Sequence, residues 1–184
     1  MENLKVAFDI LDIGAKPRSG YSKASGHIIF DVRMTLERKA RWVEDGHITH
    51  YPKHPTFTGV VLRERVRVLL TYAALNTLHV YASDIQNAYL QAPTSEKHYI
   101  ICGTEFGLEN VGEIVIVVRA IYGDKASGSD YWMHIRATMK EMKFEPYTAN
   151  PDVWFRSGTK DNGSTYYQYV LLFYFAYQPN VHLK

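Results

Sequence analysis

Cysteine is almost missing: Cys102 is the single thiol in 184 residues. One thiol excludes an internal disulfide and a thiolate zinc site, and it suits a reducing, intracellular and cytoplasmic setting. Long apolar runs are missing as well. The longest, near Ile114–Val118 and Val170–Ala176, fall far short of the ~20 residues that a membrane helix needs, so no membrane partner is expected. Met1-Glu2-Asn3-Leu4-Lys5 lacks the basic start and apolar core of a secretion signal. The net charge is only +2, too small by itself to announce a nucleic-acid partner. No repeat or low-complexity tract is visible, and no acidic residue follows Asp161.

What is present is ample core material. Hydrophobic residues make up 46% of the chain, with 14 Tyr, 8 Phe and 3 Trp, which excludes a disordered chain and supports one domain or one domain with an appendage. Charge is unevenly spread. Residues 1–76 carry 12 Lys+Arg against 8 Asp+Glu, a balance of +4, and residues 77–184 carry −2. A basic front beside an acidic remainder suits a metal-dependent enzyme acting on polyphosphate or nucleic acid, although a swing this small also arises by chance.

Along the chain, a short apolar element near Val6–Leu11 precedes a Gly/Lys/Ser/Pro loop. Ile28–Val32 and Arg38–Val43 then read as a hairpin, ending at a turn on Asp45-Gly46. Lys39 and Arg41 stand two residues apart and so project from one face of a strand, either as a phosphate contact or as the solvated face of a charge-guarded edge. His47, His50 and His54 have ligand-like spacing, but Pro52 and Pro55 interrupt the segment and no helical frame aims the rings together, so a solvated loop is expected.

Thr58–Leu75 predicts a helix capped by Thr58, with Leu62, Val66, Leu69, Leu70 and Ala73 on the core side and a solvated Arg face. Further strands are expected at Tyr99–Cys102 and Glu113–Arg119, and a helix over Ser129–Met142 with Trp132, Ile135, Met139 and Met142 on one side. A last hairpin pairs Asp152–Arg156 with Tyr166–Phe175 around Asp161-Asn162-Gly163. Cys102 reads as a buried small residue. The order predicts an α+β fold whose mostly antiparallel sheet has helices packed on one face.

The centre of this order is the stretch Val80–Ala92. A strand over His79–Ser83 would deliver Asp84 to a sheet end, and the following turn would bring Tyr89 back beside it. Asp84 is then a metal-binding carboxylate with an aromatic wall or, as is commoner for such an Asp alone, a turn cap.

Five segments, in order, are similar to the reverse transcriptase domain of Ty1/copia-type retrotransposon polyproteins. They are His27-Ile28-Ile29-Phe30-Asp31-Val32, Arg38-Lys39-Ala40-Arg41-Trp42-Val43, Ser83-Asp84-Ile85-Gln86-Asn87-Ala88-Tyr89-Leu90, Arg119-Ala120-Ile121-Tyr122-Gly123 and Asn150-Pro151-Asp152-Val153-Trp154. Each is a weak motif alone; together they span nearly all of residues 4–175. The resemblance implies a fingers-like region over residues 1–76 and a partial palm over 77–184. It also implies RNA or DNA primer-template and deoxynucleotides as partners, and two Mg2+ ions that activate a primer 3′ hydroxyl.

By this resemblance Asp84 is the first metal-binding Asp, with the Ile85 carbonyl as a further ligand. Tyr89 lies under the sugar and excludes a 2′ hydroxyl, and Lys39 or Arg41 contacts the triphosphate. The roles of Lys125 and Ser127 stay open, because the usual glutamine-containing continuation is not there. One departure matters most. The family places two adjacent Asp at the tip of the last hairpin, whereas this chain reads Tyr174-Phe175-Ala176-Tyr177-Gln178-Pro179. A truncated or degenerate copy lacking polymerase activity is the expectation, because one carboxylate does not offset the repulsion between two dications.

Overall fold

The computed structural model describes residues 6–32, 34–52, 54, 56 and 63–172. It is a mixed α and β fold that divides into two compact units, each built from two separated stretches. The first joins Met1–Phe57 to Gln86–His134, and the second joins Thr58–Ile85 to Ile135–Lys184. These boundaries differ from a single division at 76/77.

In the first unit, β1 (Phe8–Ile10), β2 (Ser22–Lys23), β5 (His98–Ile101) and β6 (Ile114–Val117) form one sheet in the order β1-β6-β5-β2. Its central partners differ: β5 buries His98 and Ile100 in alternation, while β6 is a run of β-branched residues buried continuously over Val115–Val117, as a strand covered on both faces requires. The β2–β5 pair is parallel, so the sheet is not wholly antiparallel. β2 is held by backbone bonds from Ser22 N to Lys97 O at 2.9 Å and from Ala24 N to Tyr99 O at 2.8 Å.

The hairpin of β3 (Gly26–Val32) and β4 (Arg38–Glu44) forms as expected and runs two residues further on β3 and one on β4, with Gly26 opposite Glu44 and Val32 opposite Arg38. The core gathers Phe8, Trp42, Ile100, Cys102, Val115, Val117 and Ile121. Its centre is an aromatic triangle in which the Phe8 ring meets Trp42 at 5.3 Å and Phe106 at 5.2 Å, both edge to face. Cys102 is buried as expected.

In the second unit, β7 (Glu145–Tyr147), β8 (Asn150–Thr159) and β9 (Thr165–Leu171) form an antiparallel sheet in sequence order. The helix α1 covers Arg63–Leu75; the Thr58 cap and Leu62 lie outside the described residues. Val66, Leu69 and Ala73 are among its less exposed positions, spaced as one helical face, but Leu70 is 49% exposed and does not join them. Of the expected solvated arginines, Arg63 and Arg67 are exposed whereas Arg65 is half-buried. Arg65 of α1 ion-pairs with Asp152, and the Tyr72 ring meets Tyr169 edge to face at 5.7 Å.

The last long helix, here α3 (Ser127–Glu141), begins in the first unit and ends in the second. Its Met139 packs with Phe144 and Trp154, and Val170 and Leu172 lie against them. Met142 falls beyond the helix and is 44% exposed. Arg156 covers the Phe144 ring at 4.5 Å and donates from Nη1 to Met142 O, sealing that end of the cluster.

The strand expected at His79–Ser83 does not form. Residues 78–85 have no regular structure and lie exposed. Their composition favours a strand, but a strand also needs a neighbour for its backbone N–H and C=O groups, and none of the described strands pairs with this segment. The described part of the last strand ends at Leu171, so the expected continuation to Phe175 lies outside the described residues. Among the described residues, no helix is long and apolar enough to cross a membrane.

Candidate functional site

The alternation of β4 puts two kinds of chemistry on its two faces. Arg38, Ala40, Trp42 and Glu44 share one phase, which closes progressively from exposed to buried, while Lys39, Arg41 and Val43 share the other at intermediate exposure. Lys39 and Arg41 therefore do project together. Asp31 faces Lys39 across the hairpin, and Arg41 Nη1 approaches Asp31 Oδ2 at 3.8 Å, a loose ion pair. The Arg41 Nε atom is buried without a hydrogen-bond partner.

The Arg41 guanidinium stacks over the Tyr122 ring at 5.7 Å, and Tyr122 in turn meets Tyr89 with ring centroids 4.9 Å apart. Tyr89 sits in the single-turn helix α2 (Ala88–Gln91) and touches Tyr131 of α3 at 6.0 Å on its other side. Burial first, and Tyr122 second, push the Tyr89 phenol above its ordinary value, so it stays neutral at physiological pH. The first unit thus joins a cation and two aromatic rings in one line, Arg41 to Tyr122 to Tyr89. Asp84 and Ile85 belong to the second unit, in the exposed segment without regular structure.

Tyr122 is fixed by its neighbour. Glu44 N donates to Tyr122 O at 2.8 Å, and Gly123 follows with φ +90°. A Cβ on Gly123 would lie 2.0 Å from Glu44 O and 2.8 Å from both Glu44 N and Val43 Cγ1. Only glycine permits this approach of the loop to β4.

The two residues left open by sequence are structural. Lys125 donates from Nζ to Thr49 O at 2.8 Å and covers the Tyr51 ring at 4.6 Å. The Ser127 hydroxyl is buried, accepts from Ile121 N at 2.9 Å and donates to Ile121 O at 2.6 Å, closing the loop before α3. His47, His50 and His54 are exposed.

Three residues that sequence reasoning did not single out come together in the interior of the first unit. Glu44, His98 and Asp124 are all buried, and each offers a ligand-type atom within 4.8 Å of the other two. His98 Nδ1 lies 2.7 Å from Glu44 Oε1, with both side chains almost wholly excluded from solvent. His98 thus faces Glu44 Oε1, while Glu44 Oε2 is buried without a hydrogen-bond partner.

Burial pulls the His98 imidazole down, but Glu44, followed by Asp124 and Glu96, outweighs it and leaves the ring above its ordinary value. Burial and then Glu44 push Asp124 up to about 6, although Ala126 N donates to its Oδ1 at 3.2 Å. The available signal was phase: Glu44 follows Trp42 on the inward side of β4, where an acid is out of place.

Among the described residues, Glu44, His98 and Asp124 are the one group of three or more His, Cys, Asp or Glu close enough to share an ion; Asp84 is not in it. A family model described as reverse transcriptase (RNA-dependent DNA polymerase) matches residues 27–168. No curated protein and no solved structure matches the chain.

Proposed function

The chain belongs to the reverse transcriptase (RNA-dependent DNA polymerase) family, and from that premise we propose that it offers a nucleotide- and primer-template-binding face without a complete polymerising centre. The observation that carries this reading is the Arg41–Tyr122–Tyr89 line within one compact unit, with Lys39 on the same strand face. A guanidinium and an ammonium supply phosphate contacts, and aromatic rings supply surfaces for sugar and base. In this reading Lys39 and Arg41 meet the triphosphate of a deoxynucleotide, and the bulk of Tyr89 excludes a 2′ hydroxyl. The first unit then corresponds to fingers with the adjoining palm edge of a copia-type retrotransposon polymerase.

Reverse transcriptases generally use divalent metal, and two Mg2+ ions are the expected complement. The residues present do not fit that pair. Asp84 contributes one exposed carboxylate and Ile85 one carbonyl, while the sequence has no acid after Asp161. Mg2+ demands oxygen ligands in near-octahedral array, and two dications a few ångströms apart repel with four times the energy of unit charges. The residues corresponding to the second acidic motif, from Tyr174 to Pro179, lie outside the described residues. Their sequence reads as a degenerate copy.

Primer extension on an RNA template with Mg2+ tests the reading; no incorporation is expected, and robust incorporation overturns it. Asp84→Asn should leave nucleic-acid binding unchanged. Binding of a primer-template duplex should weaken as salt rises, and the Lys39→Ala/Arg41→Ala double variant should bind less tightly with a shallower salt slope. Salt-independent binding, or binding indifferent to that double change, removes the proposed face.

A further inference from the structure

We propose that Glu44, His98 and Asp124 form a structural site for one divalent transition-metal ion of the zinc class, tying together β4, the start of β5 and the loop before α3. The proposal does not depend on the nucleotide-facing reading, and its three residues do not include Asp84. The three residues come from segments far apart in sequence, yet their ligand-type atoms lie within 4.8 Å of one another inside the unit.

The independent sign of a missing partner is Glu44. Its side chain has 0% exposure, and while Oε1 faces His98 Nδ1 at 2.7 Å, Oε2 lacks a hydrogen-bond partner. A buried ionised carboxylate requires paired charge, hydrogen bonds or a metal, and an uncompensated one is strongly unfavourable. The His98 ring alone, with one nitrogen at Glu44 Oε1, does not satisfy four lone-pair positions on Glu44 and a second carboxylate on Asp124.

Charge arithmetic favours a dication. Two carboxylates and a protonated imidazole sum to −1, whereas two carboxylates, a neutral imidazole and a dication sum to zero. The donor set selects the class of ion. One imidazole nitrogen with two carboxylate oxygens suits Zn2+, which accepts His N and Asp/Glu O in tetrahedral sites with bonds of about 2.0–2.2 Å. Mg2+ and Ca2+ prefer all-oxygen shells that include several waters, which an imidazole nitrogen does not supply. Neighbouring ligands in a tetrahedral zinc site lie roughly 3.3–3.5 Å apart by the same bond lengths. Loading therefore requires the 2.7 Å His98–Glu44 pair to open and the wider separations of the group, which reach up to 4.8 Å, to draw in, with a water or carbonyl as fourth ligand. Ser127, which lies 3.4 Å from Asp124 Oδ2, and the Ala126 N–H would steady that carboxylate as outer partners.

The test is calorimetric titration of the chelator-treated full chain with Zn2+, alongside Mg2+ and Ca2+. One equivalent of Zn2+ should bind and raise the thermal midpoint, and the other two ions should not compete at equal concentration. Glu44→Gln and Asp124→Asn, which keep shape, should each weaken Zn2+ binding at least tenfold. A His47→Ala/His50→Ala/His54→Ala triple variant should retain it, since those rings stand in solvent. Zinc-edge X-ray absorption of the unsubstituted protein should show nitrogen and oxygen neighbours without sulfur, a readout that survives any folding defect in a variant. Absence of one-equivalent binding, loss of it in the triple-histidine variant, or a sulfur neighbour from Cys102 would each overturn the assignment.

Discussion

Gly123→Ala and Gly112→Ala form a matched pair that isolates the contact between the Tyr122-Gly123 loop and β4. Their φ angles are +90° and +89°, so the strain of an L side chain in left-handed backbone, about 1–2 kcal/mol, is common to both. Surroundings differ. A Cβ at position 112 meets nothing within 4 Å, whereas at 123 it would lie 2.0 Å from Glu44 O and 2.8 Å from both Glu44 N and Val43 Cγ1. The loop cannot recede freely, because Glu44 N donates to Tyr122 O at 2.8 Å. Overpacking adds about 1–3 kcal/mol, and loss of that bond adds about 1 kcal/mol. Gly112→Ala should therefore cost about 1–2 kcal/mol and Gly123→Ala roughly 3–6 kcal/mol by these sums. Denaturant unfolding followed by tryptophan fluorescence gives the comparison, with equal slopes required before midpoints are converted to free energy. Equal losses in the two variants would refute the argument from close approach.

Three further outcomes follow from particular contacts. Trp154→Ala should destabilise the second unit by about 3–5 kcal/mol, since the ring is 1% exposed and packed by Met139 and Phe144; a change under 1 kcal/mol in thermal or denaturant unfolding would contradict the packing. Tyr89 supplies a pH test: its folded phenol titrates above the ordinary value of 10.0, so as pH rises past that value the unfolded state loses its proton first and stability falls. Tyr89→Phe should lose less stability than the parent over that alkaline interval, and parallel pH–stability curves would argue against a buried phenol. Arg65→Ala should leave Asp152 without its ion-pair partner. With Arg65 only about a third exposed, a loss of about 1 kcal/mol is expected after allowance for solvent screening, and a double cycle with Asp152→Ala should show coupling of that size.

The elements legible in sequence were those whose residues carry a period and whose partners lie nearby. Alternation between Gly26 and Glu44 gives the hairpin, and the spacing of Val66, Leu69 and Ala73 gives the inward face of α1. The failure at His79–Ser83 has a different cause. Val80 and Tyr81 favour extended backbone, but pairing is a property of the neighbour, which local reading does not contain. β2 shows the reverse case. Ser22 and Lys23 have no strand pattern, yet backbone bonds to Lys97 O and Tyr99 O make them an edge. Ser127, expected in a loop, instead begins α3, because its hydroxyl clips both backbone groups of Ile121.

Site residues divided along the same line. Lys39 and Arg41 were legible because period two alone puts them on one face, and Tyr122 became the partner of Arg41 only through the fold. The same strand turns Trp42 and Glu44 the other way, so β4 separates a cationic face from a buried acid by a single alternation. The loop at 122–124 meets both sides in three consecutive residues. Tyr122 lies beneath Arg41, Gly123 permits contact with the β4 backbone, and Asp124 joins Glu44 and His98. A change in how Asp124 is held therefore bears on Tyr122 through one glycine that has no room to yield. This is the physical link between the interior cluster and the Arg41–Tyr122–Tyr89 line, and it runs through backbone contact rather than through any charge shared between them.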